Sequence, residues 1–189
     1  MKKVFLTVSV GLLLMSFIAN EVISWSIDKA HSRLGFTINH MGISDINGEF
    51  SAFESIISTP NADFSDASIE LSAEAKSINT GIGMRDDHLR SSDFFDVEKF
   101  PTLTFKSTSV KKAKDNKYTV VGDLTMHGVT KSVSFTAVHN GTAKNQAGND
   151  VAGFKMIGSI KRSDFSVGQV SPGLADEVKL IADLEVAKN

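Results

Sequence analysis

The chain has 189 residues, 20 Lys and Arg against 22 Asp and Glu, a formal net charge of −2 and 41% hydrophobic residues. That suits one domain with a sizeable core, and the near balance of charge, without a long run of either sign, excludes a nucleic-acid footprint or a polybasic membrane patch. The absence of cysteine excludes disulfides, thiolate catalysis, thiolate-ligated zinc and a lipidated N-terminal cysteine.

Lys2 and Lys3 precede an apolar run from Val4 to Ile18, shorter than a usual membrane span and followed by polar residues, which is the pattern of a signal peptide. Cleavage is expected between Ala19 and Trp25. Residues 1–24 are thus read as a leader and 25–189 as one mature domain, periplasmic or secreted, without stable membrane insertion once the leader is gone.

Leu34, Phe36, Ile38 and His40 alternate with Gly35, Thr37 and Asn39, the period-two pattern of a half-buried strand. Gly48 to Ser58 is a second strand in which Phe50 and Phe53 break phase, so a bulge is expected between them. Thr59, Pro60, Asn61 and Asp63 make a turn. Ala67, Ile69, Leu71, Ala73 and Ala75 then face one way and Ser68, Glu70, Ser72, Glu74 and Lys76 the other, a strand with a wet face and a dry one. Thr80 to Ser92 carries good helix formers with Asp86 and Asp87 near its start, which predicts one short helix. Asp93 to Pro101 holds Phe94, Phe95 and Phe100 in a segment too polar for a core strand, and reads as a lid loop.

Thr102 to Val110 is the next strand, Lys111 to Lys117 a solvated turn, and Tyr118 to Met126 another strand that turns at His127 and Gly128 into Val133, Phe135 and Ala137. Asn140 to Asp150 is expected to be a long loop. Ala152, Phe154, Met156, Gly158 and Ile160 share one phase, as do Val178, Leu180, Ala182, Leu184 and Val186. The pattern is therefore all-β, about eight antiparallel strands with one short helix between the third and fourth. A closed barrel and a two-sheet sandwich both satisfy it.

The segment RDDHLRSSDFFDVEKFPTLTF, Arg85 to Phe105, closely resembles the signature of the YceI-like family of bacterial periplasmic, lipocalin-like, polyisoprenoid-binding proteins. WSIDKAHSRLGFTINHMGIS from Trp25, GDLTMHGVTKSVSF from Gly122 and GFKMIGSIKRSDFSVG from Gly153 match in the same order, so the resemblance spans nearly all of Trp25 to Lys188. It implies an eight-stranded antiparallel lipocalin-like barrel that encloses an isoprenoid or similar long-chain lipid. In the family's pattern a glycine follows the Asp-Phe of the last segment, where this chain has Ser166.

Shared phase along separate strands nominates Phe36, Ile38, His40, Leu71, Phe105, Leu124, Phe135, Phe154 and Met156 as lining residues, with Phe94 and Phe95 over the entrance. The same phase also fits a solid core. Phenylalanine, 13 of them against one Trp and one Tyr, offers apolar area without a polar handle. Arg85, His88 and His127 are nominated as headgroup contacts, Arg as a fork for an anion and His as a tunable donor. Arg85 could equally pair with Asp86, Asp87 or Asp93, and Asp164 with Lys161 or Arg162 at a strand end. None of the five histidines has metal-ligand spacing, no nucleophile elbow is present, and no metal, cofactor or catalytic residue is assigned. The expectation is a carrier rather than an enzyme, with a lipid as partner, no nucleic acid and a homodimer left open. The competing readings are a metal- or histidine-dependent enzyme acting on such a lipid and a stress-associated structural protein.

Overall fold

The computed structural model describes residues 22–189. The predicted leader lies outside these residues as far as position 21, and Ile23 and Ser24 already belong to the first strand, β1 (Ile23–Ile27). This strand was not among those expected, although Ile23, Trp25 and Ile27 alternate with Ser24 and Ser26.

Three of the barrel's walls are broken strands. β1 and β2 (Arg33–His40) run end to end along the C-terminal strand β11 (Leu174–Lys188), from Trp25↔Lys188 through Arg33↔Asp183 to His40↔Leu174. β3 (Ser44–Phe50) and β4 (Phe53–Thr59) follow in the same way, as do β5 (Ser68–Glu74) and the short β6 (Ile78–Asn79). β7 (Thr102–Lys112), β8 (Lys117–Met126), β9 (Val129–Lys144) and β10 (Asp150–Lys161) complete the sheet, all antiparallel. β1, β4, β5, β7, β8, β9, β10 and β11 form a closed eight-stranded ring, and β2, β3 and β6 extend one side of it. The helix α1 (Gly83–Arg90) is shorter than the predicted Thr80–Ser92.

Between Phe50 and Phe53 the chain bends rather than bulging, and both rings are buried. The loop expected over Asn140–Asp150 is in good part strand: residues 141–144 pair with residues 150–153, and 151–153 pair on their other side with β11. The side chains of 140–144 are exposed on both faces, so no alternation could announce it.

Inward-pointing residues Phe36, Ile69, Leu71, Met156, Val178 and Leu180 are only half-buried, because their free surface faces a cavity rather than a neighbour. Glycines on facing strands make the room. Phe36 lies over Gly48, Phe105 over Gly122 and Phe135 over Gly158, each ring occupying the space a Cβ would take. The rings therefore lie along the wall instead of filling the centre, a cross-strand pairing of aromatic with glycine.

Gly122→Ala tests that arrangement. Its Cβ would stand 2.5 Å from both the Lys106 carbonyl oxygen and the Phe105 ring, and the backbone atom cannot rotate away. A loss of about 1–3 kcal/mol is expected, the usual cost of overpacking, read as a lower urea midpoint at unchanged slope. An unchanged midpoint would show that the wall has slack there.

Candidate functional site

One end of the barrel is shut by the loop between β4 and β5. Phe64, 4% exposed, turns inward there with φ +60°, its ring centroid 5.1 Å from Trp25, 5.3 Å from His139 and 4.9 Å from Phe154. A bulky residue in the left-handed region is held only if its surroundings over-determine it, and they do. The Tyr118 hydroxyl donates to the Asp63 carbonyl at 2.6 Å, Thr59 Oγ1 donates to the Asn61 carbonyl at 2.7 Å, and Lys112 Nζ pairs with Asp63 Oδ2 at 2.9 Å. The Ser65 hydroxyl, followed by the Lys112 ammonium, holds the Asp63 carboxyl well below the ordinary carboxylate range. Burial pushes the Tyr118 phenol up.

The other end is covered by α1 and the loop after it. Phe94 rests over Gly168, Phe95 meets Phe50 edge-on at 5.7 Å and Phe100 sits on Gly128. Gly168 and Gly128 have φ +67° and +74°, and a Cβ at either would stand 2.5–2.6 Å from the ring above it. Glycine is thus required twice over, for conformation and for space. The lid is pinned at three points on three different elements. Ser166, in the family's glycine position, adopts φ 56°, ψ 30° all the same, so the turn is kept at the modest cost of a left-handed serine.

Between the two ends lies a cavity of about 780 Å³, within the roughly 300–1,000 Å³ of small-molecule pockets. Phe36, Ile38, His40, Leu71, Phe94, Phe95, Phe105, Leu124, Phe135, Phe154 and Met156 all line it. So do Arg85 and His88, near the lid. His127 does not: it occupies the β8–β9 turn with φ 51°, its ring 4.6 Å from Phe100. Its nomination as a headgroup contact is therefore corrected. A turn residue in the left-handed region leaves the strand's phase, so its side chain could not be placed by alternation.

Of the two readings left open for Arg85, pairing with Asp86, Asp87 or Asp93 does not occur. Arg85 Nε donates to Thr80 Oγ1 at 2.7 Å and its Nη2 to the Thr80 carbonyl at 2.8 Å. Asp87 instead pairs with Arg90 at 2.9 Å, and Asp93 with His88 Nε2 at 3.2 Å. Buried Asp86 accepts from the Thr80 amide and hydroxyl at 2.9 and 2.5 Å, tying the strand end to the helix.

The sequence offers Lys161 or Arg162 as a strand-end partner for Asp164, and Arg162 is not one. It is instead 3% exposed and lines the cavity, while Asp164 is exposed and belongs to no ion pair among the described residues. The signal was present: Arg162 continues the inward phase of Phe154, Met156, Gly158 and Ile160. Phe64 was missed for the opposite reason, standing among turn residues with no strand to give it a direction.

Outside the cavity, Asp28, His31 and Glu185 bring one potential ligand atom each within 4.8 Å of one another. His31 Nδ1 lies 3.0 Å from Asp28 Oδ2, a bond that holds the Asp28 carboxyl down and pushes the His31 imidazole up. None of the three lines the cavity.

The comparisons follow this geometry. The YceI-like domain matches residues 25–186. A UPF0312 protein of Pseudomonas putida F1 is 37% identical over 169 residues, 88% of each chain. The crystal structure of Burkholderia cenocepacia BcnA superposes with a TM-score of 0.75 at 27% identity, covering 84% of this chain and 98% of that one. A domain from Saccharophagus degradans described as polyisoprenoid-binding shares the fold at 18% identity, TM-score 0.66, over 88% of this chain and 99% of its own. With the family's domain spanning all eight strands of the barrel and the lid between its third and fourth walls, the chain belongs to the YceI-like family.

Proposed function

We propose that this protein is a periplasmic carrier that holds one long-chain isoprenoid or similar amphiphilic lipid inside its barrel and performs no chemistry on it. The observation that carries this reading is the cavity: walled by phenylalanine and aliphatic side chains along its length, shut at one end by Phe64, and furnished with Arg85 and His88 at the lid. A hydrocarbon gains from leaving water for such a wall in proportion to its buried area. Its polar end would lie where the polar side chains are.

The S. degradans domain of the same fold, described as polyisoprenoid-binding, supports a lipid as the cargo. No helix among the described residues is long and apolar enough to cross a membrane. We place leader cleavage ahead of Ile23, because β1 begins there and Ile23 and Ser24 pair with Thr59 and Ser58. A carrier of this kind needs an exit for its cargo, and the lid, held by three rings and by side-chain hydrogen bonds from Arg90 to the Lys76 and Ile78 carbonyls rather than by strand pairing, is the element that could open.

Mass spectrometry of the solvent extract from freshly purified protein, recovered from the osmotic-shock fraction, is the test. About one long-chain lipid per barrel is the expected result. An extract free of lipid, or protein that turns over an added isoprenoid, would overturn the reading.

A further inference from the structure

We propose that the lid end of the barrel is a docking surface for a zwitterionic phospholipid membrane, on which it rests reversibly through the exposed side chains of Met41, Ile43, Ile82, Met84 and Val170. This rests on the lipid-carrier reading above and adds the surface at which cargo is exchanged.

Among the described residues seven large apolar side chains are more than half exposed, and five of them lie on three short segments. Met41 and Ile43 stand in the β2–β3 turn, Ile82 and Met84 open α1, and Val170 lies in the connection that leads to β11. Met84 at 85% and Ile43 at 82% are the most exposed. None of the five lines the cavity, yet each segment is bracketed by residues that do: His40 and Ser44 about the first, Thr80 and Arg85 about the second, Val167 and Gly173 about the third. The three segments are therefore its rim.

They also meet at one end of the barrel. The Met41 amide donates to the Gly173 carbonyl at 3.1 Å, which joins the first segment to the third. Phe94 of the lid rests over Gly168, two residues before Val170, and the second segment begins the lid's own helix.

Charge separates this end from the closed one. Residues 41–43, 81–84 and 169–173 read Met-Gly-Ile, Gly-Ile-Gly-Met and Gln-Val-Ser-Pro-Gly, without a charged side chain, in a chain that is 22% charged. At the closed end, residues 111–117 around the β7–β8 turn carry five charges, and Asp63 and Asp66 stand on either side of Phe64. On the lid the charges are paired internally, Asp87 with Arg90, Asp93 with His88 and Asp96 with Lys99. Asp45, beside the first segment, is negative, which favours a zwitterionic surface over an anionic one.

Single exposed apolar residues are ordinary, but five around one uncharged rim form a patch, and such patches mark contact sites. Separate apolar tips suit a bilayer, which asks for no shape complementarity and rewards each side chain in proportion to the area it buries. At the mouth of an apolar cavity they also shorten the path of a hydrocarbon through water.

The test uses the exported protein and phosphatidylcholine vesicles with brominated acyl chains, which quench a tryptophan that reaches them. Trp25, the one native tryptophan, is buried at the closed end, so an added one reports its own position. Vesicles should lower the fluorescence of Ile43→Trp at least about twofold and leave that of Ile56→Trp, exposed on β4 away from the rim, unchanged. Joint replacement Ile43→Ser and Met84→Ser should weaken vesicle binding at least about tenfold. It should also slow transfer of geranylgeraniol from vesicles into the barrel without changing the amount held at equilibrium. Added phosphatidylglycerol should not strengthen binding. Quenching absent or equal at the two positions overturns the inference, as does a wild type that self-associates through Ile43 and ignores vesicles; loading of geranylgeraniol from detergent would then keep the carrier reading. A barrel that docks yet holds no lipid removes the carrier reading and upholds the docking surface.

Discussion

Replacing Leu71 by tryptophan is expected to empty the barrel without unfolding it. Leu71 sits on β5 between Ser55 on β4 and Phe105 on β7, and its side chain lines the cavity while remaining half-exposed. Forcing extra atoms into a close-packed core typically costs about 1–3 kcal/mol. At Leu71 the added ring has a space of about 780 Å³ to enter, so that cost should be largely avoided. Lipid recovered per barrel should fall at least about tenfold, corresponding to about 1.4 kcal/mol or more of lost affinity, with the urea midpoint unchanged or raised. A folded Leu71→Trp protein with its full lipid content would place the cargo elsewhere. A variant that does not fold would show solid packing at this level of the barrel.

Phe64→Ala should produce the largest loss of stability of any single ring removed from the closed end. The side chain is 4% exposed and touches Trp25, His139 and Phe154 at once, so its removal leaves a hole that three rigid rings cannot readily refill. Phe→Ala in such surroundings costs about 3–5 kcal/mol. Alanine does not relieve the backbone, because the φ of +60° disfavours any residue with a Cβ. The chemical-denaturation midpoint should therefore drop sharply, and bound lipid should exchange faster as the second end opens. A loss under about 1 kcal/mol would mean that the loop backbone and the Tyr118–Asp63 bond, rather than the ring, close the barrel.

Read together, the two substitutions separate the middle of the cavity from its floor. Leu71 lies where space is deliberately left by glycine beneath aromatic rings. Phe64 lies where a ring is used to take space away. Added bulk is tolerated at the first position and lost bulk is not tolerated at the second, because packing density differs between them although both residues are apolar.

The sequence by itself determined most of the strands, the single helix and which face of those strands turns inward. Alternation is a local property: successive side chains on an extended backbone must point to opposite sides. Phe36, Leu71, Phe105, Leu124, Phe135 and Phe154 could thus be set on one surface before any strand was paired, and all six line the cavity. β1 was legible in the same way from Ile23, Trp25 and Ile27, but its first residues had been assigned to the leader.

Tertiary structure alone decided whether that surface encloses a core or a hollow. The answer depends on which glycine lies across from which ring, and Gly48, Gly122 and Gly158 meet Phe36, Phe105 and Phe135 only once the register is set. Direction was likewise undetermined wherever the backbone leaves the strand. Phe64 and His127, both at positive φ, follow no period, and one proves to be the floor of the cavity while the other lies outside it. Charge pairing was undetermined too, because ion pairs form between groups that the fold brings together rather than between neighbours in the chain. Asp86, Asp87 and Asp93 flank Arg85 in sequence, yet the short helix turns each toward a different partner and leaves Arg85, like Arg162, facing the cavity without a carboxylate of its own.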